Sequence, residues 1–233
     1  MAAKSPIVLV LGAGANIGQS VARLFASKGY KVALAARSIK ANDSTADQLN
    51  IPSDFSNTDA VVDAFAKVKQ VFGIPSVVIY NASAVHFTPA DDPFTIPLAD
   101  FTRDTTVNIH SAFVAAQHAV AGFAELPASA ARTFIYTGNV LNVAVLPEFV
   151  SQGVGKSGAA HMIWAASAAY NDRGFKFYYA DERKADGSPK YRIDGDAHAK
   201  LYWDLAHTET QLPWMQTFVK GEGYKEFNNL YHA

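Results

Sequence analysis

Apolar residues in this chain fall into short runs that alternate with longer amphipathic stretches. The runs 7–11, 31–36, 48–51, 77–80, 133–137 and 176–180 are bounded by turn residues and predict six strands. The stretches 16–27, 58–72, 98–125 and 154–172 carry apolar residues at helical spacing and predict helices. Alternation of this kind predicts a doubly wound α/β fold, a parallel sheet with helices on both faces. Ligands are then expected outside the carboxyl ends of the strands. After residue 180 the pattern changes. Residues 183–189 are polar, with Gly187 and Pro189, and predict a surface loop. Residues 194–206 predict a short helix, and 213–219 a last short strand.

The first strand runs into Gly12-Ala13-Gly14-Ala15-Asn16-Ile17-Gly18 and then into a helix. Glycines between a strand and a helix let the backbone approach a pyrophosphate, and the helix N-terminus supplies N–H donors and a positive dipole end. Gly12 and Gly14 are expected to make the tight turn, and Gly18 to let the helix pack on its strand. The expectation is therefore a single-domain Rossmann-like sheet. Residues 1–233 would form one dinucleotide-binding domain, with 181–233 covering the substrate cleft, because that tail is too small for a core of its own. The second strand ends at Arg37-Ser38, with Lys40 close behind. An acidic residue there would bond ribose hydroxyls and favour NAD. A guanidinium offers planar, paired donors to a phosphate, so Arg37 and Ser38 point to NADP(H). The alternative for Arg37 is an ordinary exposed cation at a strand end.

Composition narrows the class. Of 233 residues, 49% are hydrophobic and 18% charged, enough apolar material for a substantial core. A formal net charge of −1 removes the basic footprint of a nucleic-acid partner. Without cysteine there are no disulfides, no thiol catalysis and no Cys-based metal site. His161, His198 and His207 make no metal-ligand spacing, so no metal is expected. No apolar run reaches transmembrane length, and no sorting signal is visible. A cytoplasmic protein acting on a small molecule, with neither nucleic acid nor membrane as partner, is the expectation.

Taken together, these motifs resemble the short-chain dehydrogenase/reductase family over most of the chain. The family's glycine turn is similar to Gly12–Gly18, with Asn16 where the family has its middle glycine. Its adenine-contacting Asp after strand three is similar to Asp54, which Phe55 follows. Its Asn-Asn-Ala-Gly after strand four is similar to Tyr80-Asn81-Ala82-Ser83, and its helix Val-Asn pair to Val107-Asn108. The resemblance implies cofactor contacts at Gly12, Gly14, Asn16, Ile17, Gly18, Arg37, Ser38, Asp54, Phe55, Asn81, Ala82 and Lys156. The family's active-site Ser, Tyr and Lys fall on Asn139, Gln152 and Lys156, and no tyrosine lies between Tyr136 and Tyr170. In the family the lysine lowers the tyrosine pKa, the phenol protonates the carbonyl oxygen as hydride arrives, and the serine holds that oxygen. An amide at 152 is far too weak an acid for that step. Asn139 and Gln152 still donate hydrogen bonds, and Lys156 is still suited to ribose hydroxyls.

Other ionisable residues are candidates around the cleft. Asp181 follows strand six and would act as a proton donor or cation stabiliser if burial raised its pKa. Its alternative is an ion pair with Arg183 or Lys184. His86, after strand four, is an acid, a substrate ligand or a surface loop residue. Glu148 lies in the loop that shapes the family's substrate pocket, and Tyr179 alternates with Tyr178 on strand six, so one of the two faces the cleft. The expected catalytic set is Asn108, Asn139, Gln152, Lys156 and Asp181, with His86, Glu148 and Tyr179 as substrate contacts. The function these residues suggest is an atypical NADP(H)-dependent short-chain reductase, acting on an imine, an iminium ion or another substrate that needs no tyrosine acid. Two alternatives stay open. One is a non-redox cyclase, isomerase or dehydratase. The other is a catalytically silent NADP(H)-binding regulatory protein. Ala-rich helical stretches at 111–124 and 159–169 allow close helix packing, and the resemblance implies a homodimer or homotetramer.

Overall fold

A computed structural model of the chain describes residues 5–227, so 1–4 and 228–233 of the expected domain lie outside the described residues. Its strands are β1 (Ile7–Leu11), β2 (Lys31–Ala36), β3 (Gln48–Pro52), β4 (Val77–Tyr80), β5 (Thr133–Thr137), β6 (Lys176–Arg183), β7 (Met215–Val219) and β8 (Gly223–Tyr224). They form one sheet in the order β3-β2-β1-β4-β5-β6-β7-β8. Every neighbouring pair is parallel except β7 and β8. The expected doubly wound α/β fold is observed. Strand order reverses between β1 and β4, which opens a crevice above their carboxyl ends.

The central strands are buried on both faces, as continuous β-branched and aromatic runs require. Leu9, Leu11, Val78, Tyr80, Phe134 and Tyr136 pack under α2 (Asp59–Val71), α4 (Ser111–Glu125) and α5 (Val150–Tyr170). Val8, Val10, Val77, Ile79 and Ile135 pack on the other face under α1 (Ile17–Ser27) and α6 (Gly195–Ala206).

Three departures from the sequence expectation bear on the site. The single helix expected over 98–125 is α3 (Leu98–Thr105) and α4, joined by a π-helical turn, Thr106–His110. That turn carries the buried Asn108. The helix expected from 154 starts at Val150, because Pro147 opens a 3-10 turn, Pro147–Phe149, that feeds straight into it. Gln152 therefore lies in the first turn of α5.

The third departure corrects the loop expected from 183. Strand β6 continues through Asp181, Glu182 and Arg183, with β7 paired alongside. These three charged residues stay buried because each finds a partner. Arg183 Nε lies 2.5 Å from Asp181 Oδ2, its Nη1 donates to Gly187 O at 3.0 Å, and Glu182 Oε1 lies 2.7 Å from Lys190 Nζ. Helix α6 packs along α1, and β7 and β8 extend the sheet. Of the expected cleft cover, Asp181, Glu182, Pro189, Lys190, Tyr191 and Ile193 reach the cavity described next.

Candidate active site

Two cavities open at the carboxyl ends of the strands and share Gly14, Asn81 and Ser83 in their walls. The larger, about 820 Å³, runs from the β1–α1 turn to Arg37 and Ser38 beyond β2. The smaller, about 430 Å³, holds Asn139, Gln152, Lys156 and Asp181.

The turn between β1 and α1 is shaped by close approach. Gly12 has φ 96°, and a Cβ on it would lie 2.3 Å from Ala82 N. Its carbonyl accepts from Asn81 Nδ2 at 2.7 Å, which binds the β4 loop to the turn. A Cβ on Gly18 would lie 2.6 Å from Ala13 Cα, so α1 sits tightly on the turn. Gly14 differs: nothing lies within 4 Å of where its Cβ would be. Ile17 opens α1 and is buried. Asn16 donates from Nδ2 to Ile193 O at 3.0 Å, which ties the turn to the segment after β6.

Arg37 and Ser38 are exposed at the far end of the larger cavity, and Asp54 and Phe55 line its side. The Asp54 carboxyl is held below its ordinary value, first by the Ser56 N–H and further by the charges of Arg37 and Arg103. Arg103, from α3, is a second cation on this cavity that sequence reasoning did not single out. An exposed arginine near a helix end carries no signal that separates it from a solvated one.

In the smaller cavity a hydrogen-bonded chain links three elements. Gln152 Nε2 donates to Ser83 Oγ at 3.0 Å, and Ser83 Oγ donates to Asn108 Oδ1 at 3.0 Å. Asn108 also bonds both the N–H and the carbonyl of Ala84, so it fixes the β4 loop against the π turn. Lys156 is 3% exposed, and its Nζ donates to Thr137 O at 2.9 Å and Tyr136 Oη at 3.4 Å. Burial lowers its pKa to about 7, although the nearby Asp181 charge pulls it upward. Burial in turn pushes the Asp181 carboxyl up to about 6, against the pull of Arg183. Asn139 begins the turn after β5, and its side-chain oxygen accepts from Leu141 N at 3.0 Å.

The remaining candidates sit elsewhere. Tyr179, expected on the substrate, is fully buried and lines neither cavity. Its phenol bonds both the N–H and the carbonyl of Asn139, so it props the Asn139 loop from beneath. It stacks on Tyr136, which stacks on Tyr80. Burial raises the pKa of all three phenols. His86 lines the larger cavity rather than the smaller one. Its Nδ1 lies 2.9 Å from Asp104 Oδ1, and Ser151 Oγ donates to the same carboxylate at 2.6 Å. Glu148 lines neither cavity, whereas its neighbours Leu146 and Phe149 line the smaller one. Tyr191 is the tyrosine in that wall among the described residues, and it is 72% exposed. Among the described residues no group of three or more His, Asp or Glu is placed to hold a metal ion. No helix among them is long and apolar enough to cross a membrane.

Comparison with known proteins gives a consistent picture. The family described as short chain dehydrogenase matches residues 6–170. A short chain dehydrogenase/reductase of Cryptosporiopsis sp. (strain 8999) is 48% identical, over 96% of this chain and 95% of its own length. Among solved structures, a short-chain dehydrogenase/reductase from Serratia marcescens BCRC 10948 superposes with a TM-score of 0.72 at 17% identity, covering 94% of this chain and 97% of that one. BdcA in complex with NADPH superposes with a TM-score of 0.74 at 19% identity, covering 98% and 99%. At such identities the two structures speak for the fold alone.

Proposed function

The chain belongs to the short-chain dehydrogenase/reductase family of oxidoreductase enzymes, and we propose that it is an NADP(H)-dependent reductase whose substrate needs no proton on the atom that accepts the electrons. When bound, a reduced nicotinamide supplies hydride to a substrate carbon. The residues present fit such a group. Gly14 leaves open space beside the N-terminus of α1, where backbone N–H groups and the helix dipole favour a pyrophosphate. Arg37 and Ser38 at the far end offer a guanidinium and a hydroxyl to a ribose phosphate, and no carboxylate follows β2 directly. One solved neighbour of the same fold carries NADPH, and another, ElxO, carries NADP.

The observation that carries the chemical part is the wall of the smaller cavity. Gln152 and Asn139 line it, each carries amide donors, and the spacing in the sequence matches them to the family's tyrosine and serine. The phenol nearest Lys156 belongs to Tyr136, which is buried beneath the cavity and donates to Asn108 O at 3.0 Å. Gln152 cannot release a proton near neutral pH, whereas an imine that arrives protonated needs none. Lys156, in the wall of the smaller cavity, holds hydroxyl groups there, and the amides of Asn139 and Gln152 orient the polar edge of the substrate. Leu141, Leu146 and Phe149 exclude water from its apolar side. Asp181 lines this cavity, but its carboxylate is buried and paired with Arg183 Nε, so it is no freer than its neighbours to protonate a carbonyl. His86 is held by Asp104, and Glu182 by Lys190 and the Asp194 N–H.

Titration of the purified protein with NADPH and NADH tests the cofactor assignment. NADPH is expected to bind at least about tenfold more tightly, the worth of one charge-assisted contact. Arg37→Ser is expected to erase that difference. Equal affinities in the wild type, or no binding of either, would contradict the assignment.

A further inference from the structure

At the other end of the sheet a third cavity, of about 1010 Å³, opens beside the starts of β1, β5 and β6. Arg132 and Lys176 line it; the first precedes β5 and the second opens β6. The active-site cavity lies at the opposite ends of these strands, roughly 15 Å away along them.

Arg132 is held in an unusual way. Its φ of 43° makes it the non-glycine residue with positive φ among the described residues. Such a backbone is strained for a residue with a side chain and persists where its surroundings enforce it. The guanidinium lies over Phe175 at 5.3 Å, and Nη2 donates to Ala128 O at 3.3 Å. Gly174 makes room for it, since a Cβ there would lie 2.7 Å from Nη2. Its Nε is nevertheless buried without a hydrogen-bond partner. An unmade hydrogen bond on a buried charged group is costly.

Lys176 is 4% exposed, and its Nζ faces neutral oxygens: Ala206 O at 3.0 Å, Thr208 O at 2.5 Å and Thr208 Oγ1 at 3.4 Å. Burial and the charge of Arg132 lower its pKa to about 8. Lys69 on the same wall is paired with Glu125 at 2.9 Å. Glu209 also lines the cavity, yet neither Arg132 nor Lys176 forms an ion pair with any carboxylate among the described residues. Two neighbouring cations thus share a partly buried wall without a counter-charge.

We propose that this cavity is a second ligand site, which takes a phosphate group on Arg132 and Lys176. A dianion matches two cations, and tetrahedral oxygens suit a guanidinium donor and an ammonium donor together. The cavity is larger than a phosphate alone, and Tyr30 and Phe72 in its wall suit an attached apolar body. This site is independent of the nicotinamide assignment, because it lies at the other end of the sheet.

Calorimetric titration of the full chain with inorganic phosphate, and separately with phenyl phosphate, tests it at constant ionic strength with chloride as control. Arg132→Gly is the main variant, because glycine is at ease at this φ. Lys176→Gln is the second, because it keeps N–H donors for the Ala206 and Thr208 carbonyls. Phosphate is expected to bind the wild type, and each variant to weaken binding by about tenfold or more. Arg37→Ser is expected to retain it. Tighter binding of phenyl phosphate than of phosphate identifies an organic phosphate; equal binding identifies the free ion. Absence of phosphate binding, binding that survives Arg132→Gly, or binding that Arg37→Ser abolishes would overturn the proposal.

Discussion

Gly155 on α5 is pressed so closely against Asn108 on the π turn that a Cβ on it would lie 2.5 Å from Asn108 Cβ. This contact sets the distance between the helix that carries Gln152 and Lys156 and the turn that anchors the β4 loop. The chain from Gln152 through Ser83 to Asn108 depends on it.

Gly155→Ala is therefore expected to destabilise the fold despite alanine's better helix propensity. Overpacking of this kind costs about 1–3 kcal/mol, which corresponds to a fall in Tm of roughly 2–4 °C per kcal/mol in a chain of this size. A thermal melt checks it. An unchanged or higher Tm would mean that α5 and the π turn separate easily.

The glycines of the first turn are expected to separate folding from binding. Gly12→Ala puts a Cβ into Ala82 N at positive φ, so the soluble folded yield should fall. Gly14→Ala meets open space and should melt like the wild type, while NADPH affinity drops by about tenfold or more as the methyl enters the pyrophosphate position. Melting curves and NADPH titration of both variants check this. Normal NADPH affinity in Gly14→Ala would remove the turn from the proposed cofactor site.

Most of the sheet is legible in the sequence, because β1, β4 and β5 are apolar on both faces and no helix of that length competes with them. What the sequence hides is where polar residues behave as core. Asp181-Glu182-Arg183 looks like a loop in one dimension, yet it continues β6 because its partners arrive from Gly187, Lys190 and Asp194, and from within the triplet itself. The π turn at Asn108 is likewise invisible, since a single extra residue leaves the helical spacing on either side intact. The wall formed by Lys190, Tyr191 and Ile193 has no motif at all and is brought to the cavity by the Asn16–Ile193 bond.

Lys156 links the site to stability. Its folded pKa, about 7, lies below the ordinary lysine value of 10.5. Between these values the unfolded chain binds a proton that the folded chain does not, so stability rises with pH across the window. Below pH 7 the full cost of the buried charge is present, and above 10.5 it is gone. Lys156→Met removes this dependence. Denaturant melts from pH 7 to 10 should show the stability of the wild type gaining on that of the variant. A constant difference would mean that Lys156 is solvated in the folded protein.

The correspondence of Asn139 and Gln152 with the family's serine and tyrosine can be tested by restoring those residues. The double variant Asn139→Ser, Gln152→Tyr should gain NADPH-dependent ketone reduction, since a positioned general acid is worth about 10²–10⁴ in rate. Consumption of NADPH with a small aryl ketone checks it. If the variant folds, binds NADPH and stays inert, position 152 does not face the reacting atom.

The most direct measurement compares a preformed cyclic iminium ion with the ketone of matched shape, using wild-type protein and saturating NADPH. The expected result is NADPH oxidation with the iminium ion and little or none with the ketone at the same pH. Ketone reduction as fast as iminium reduction would contradict the proposal, because the cavity would then hold an effective proton donor.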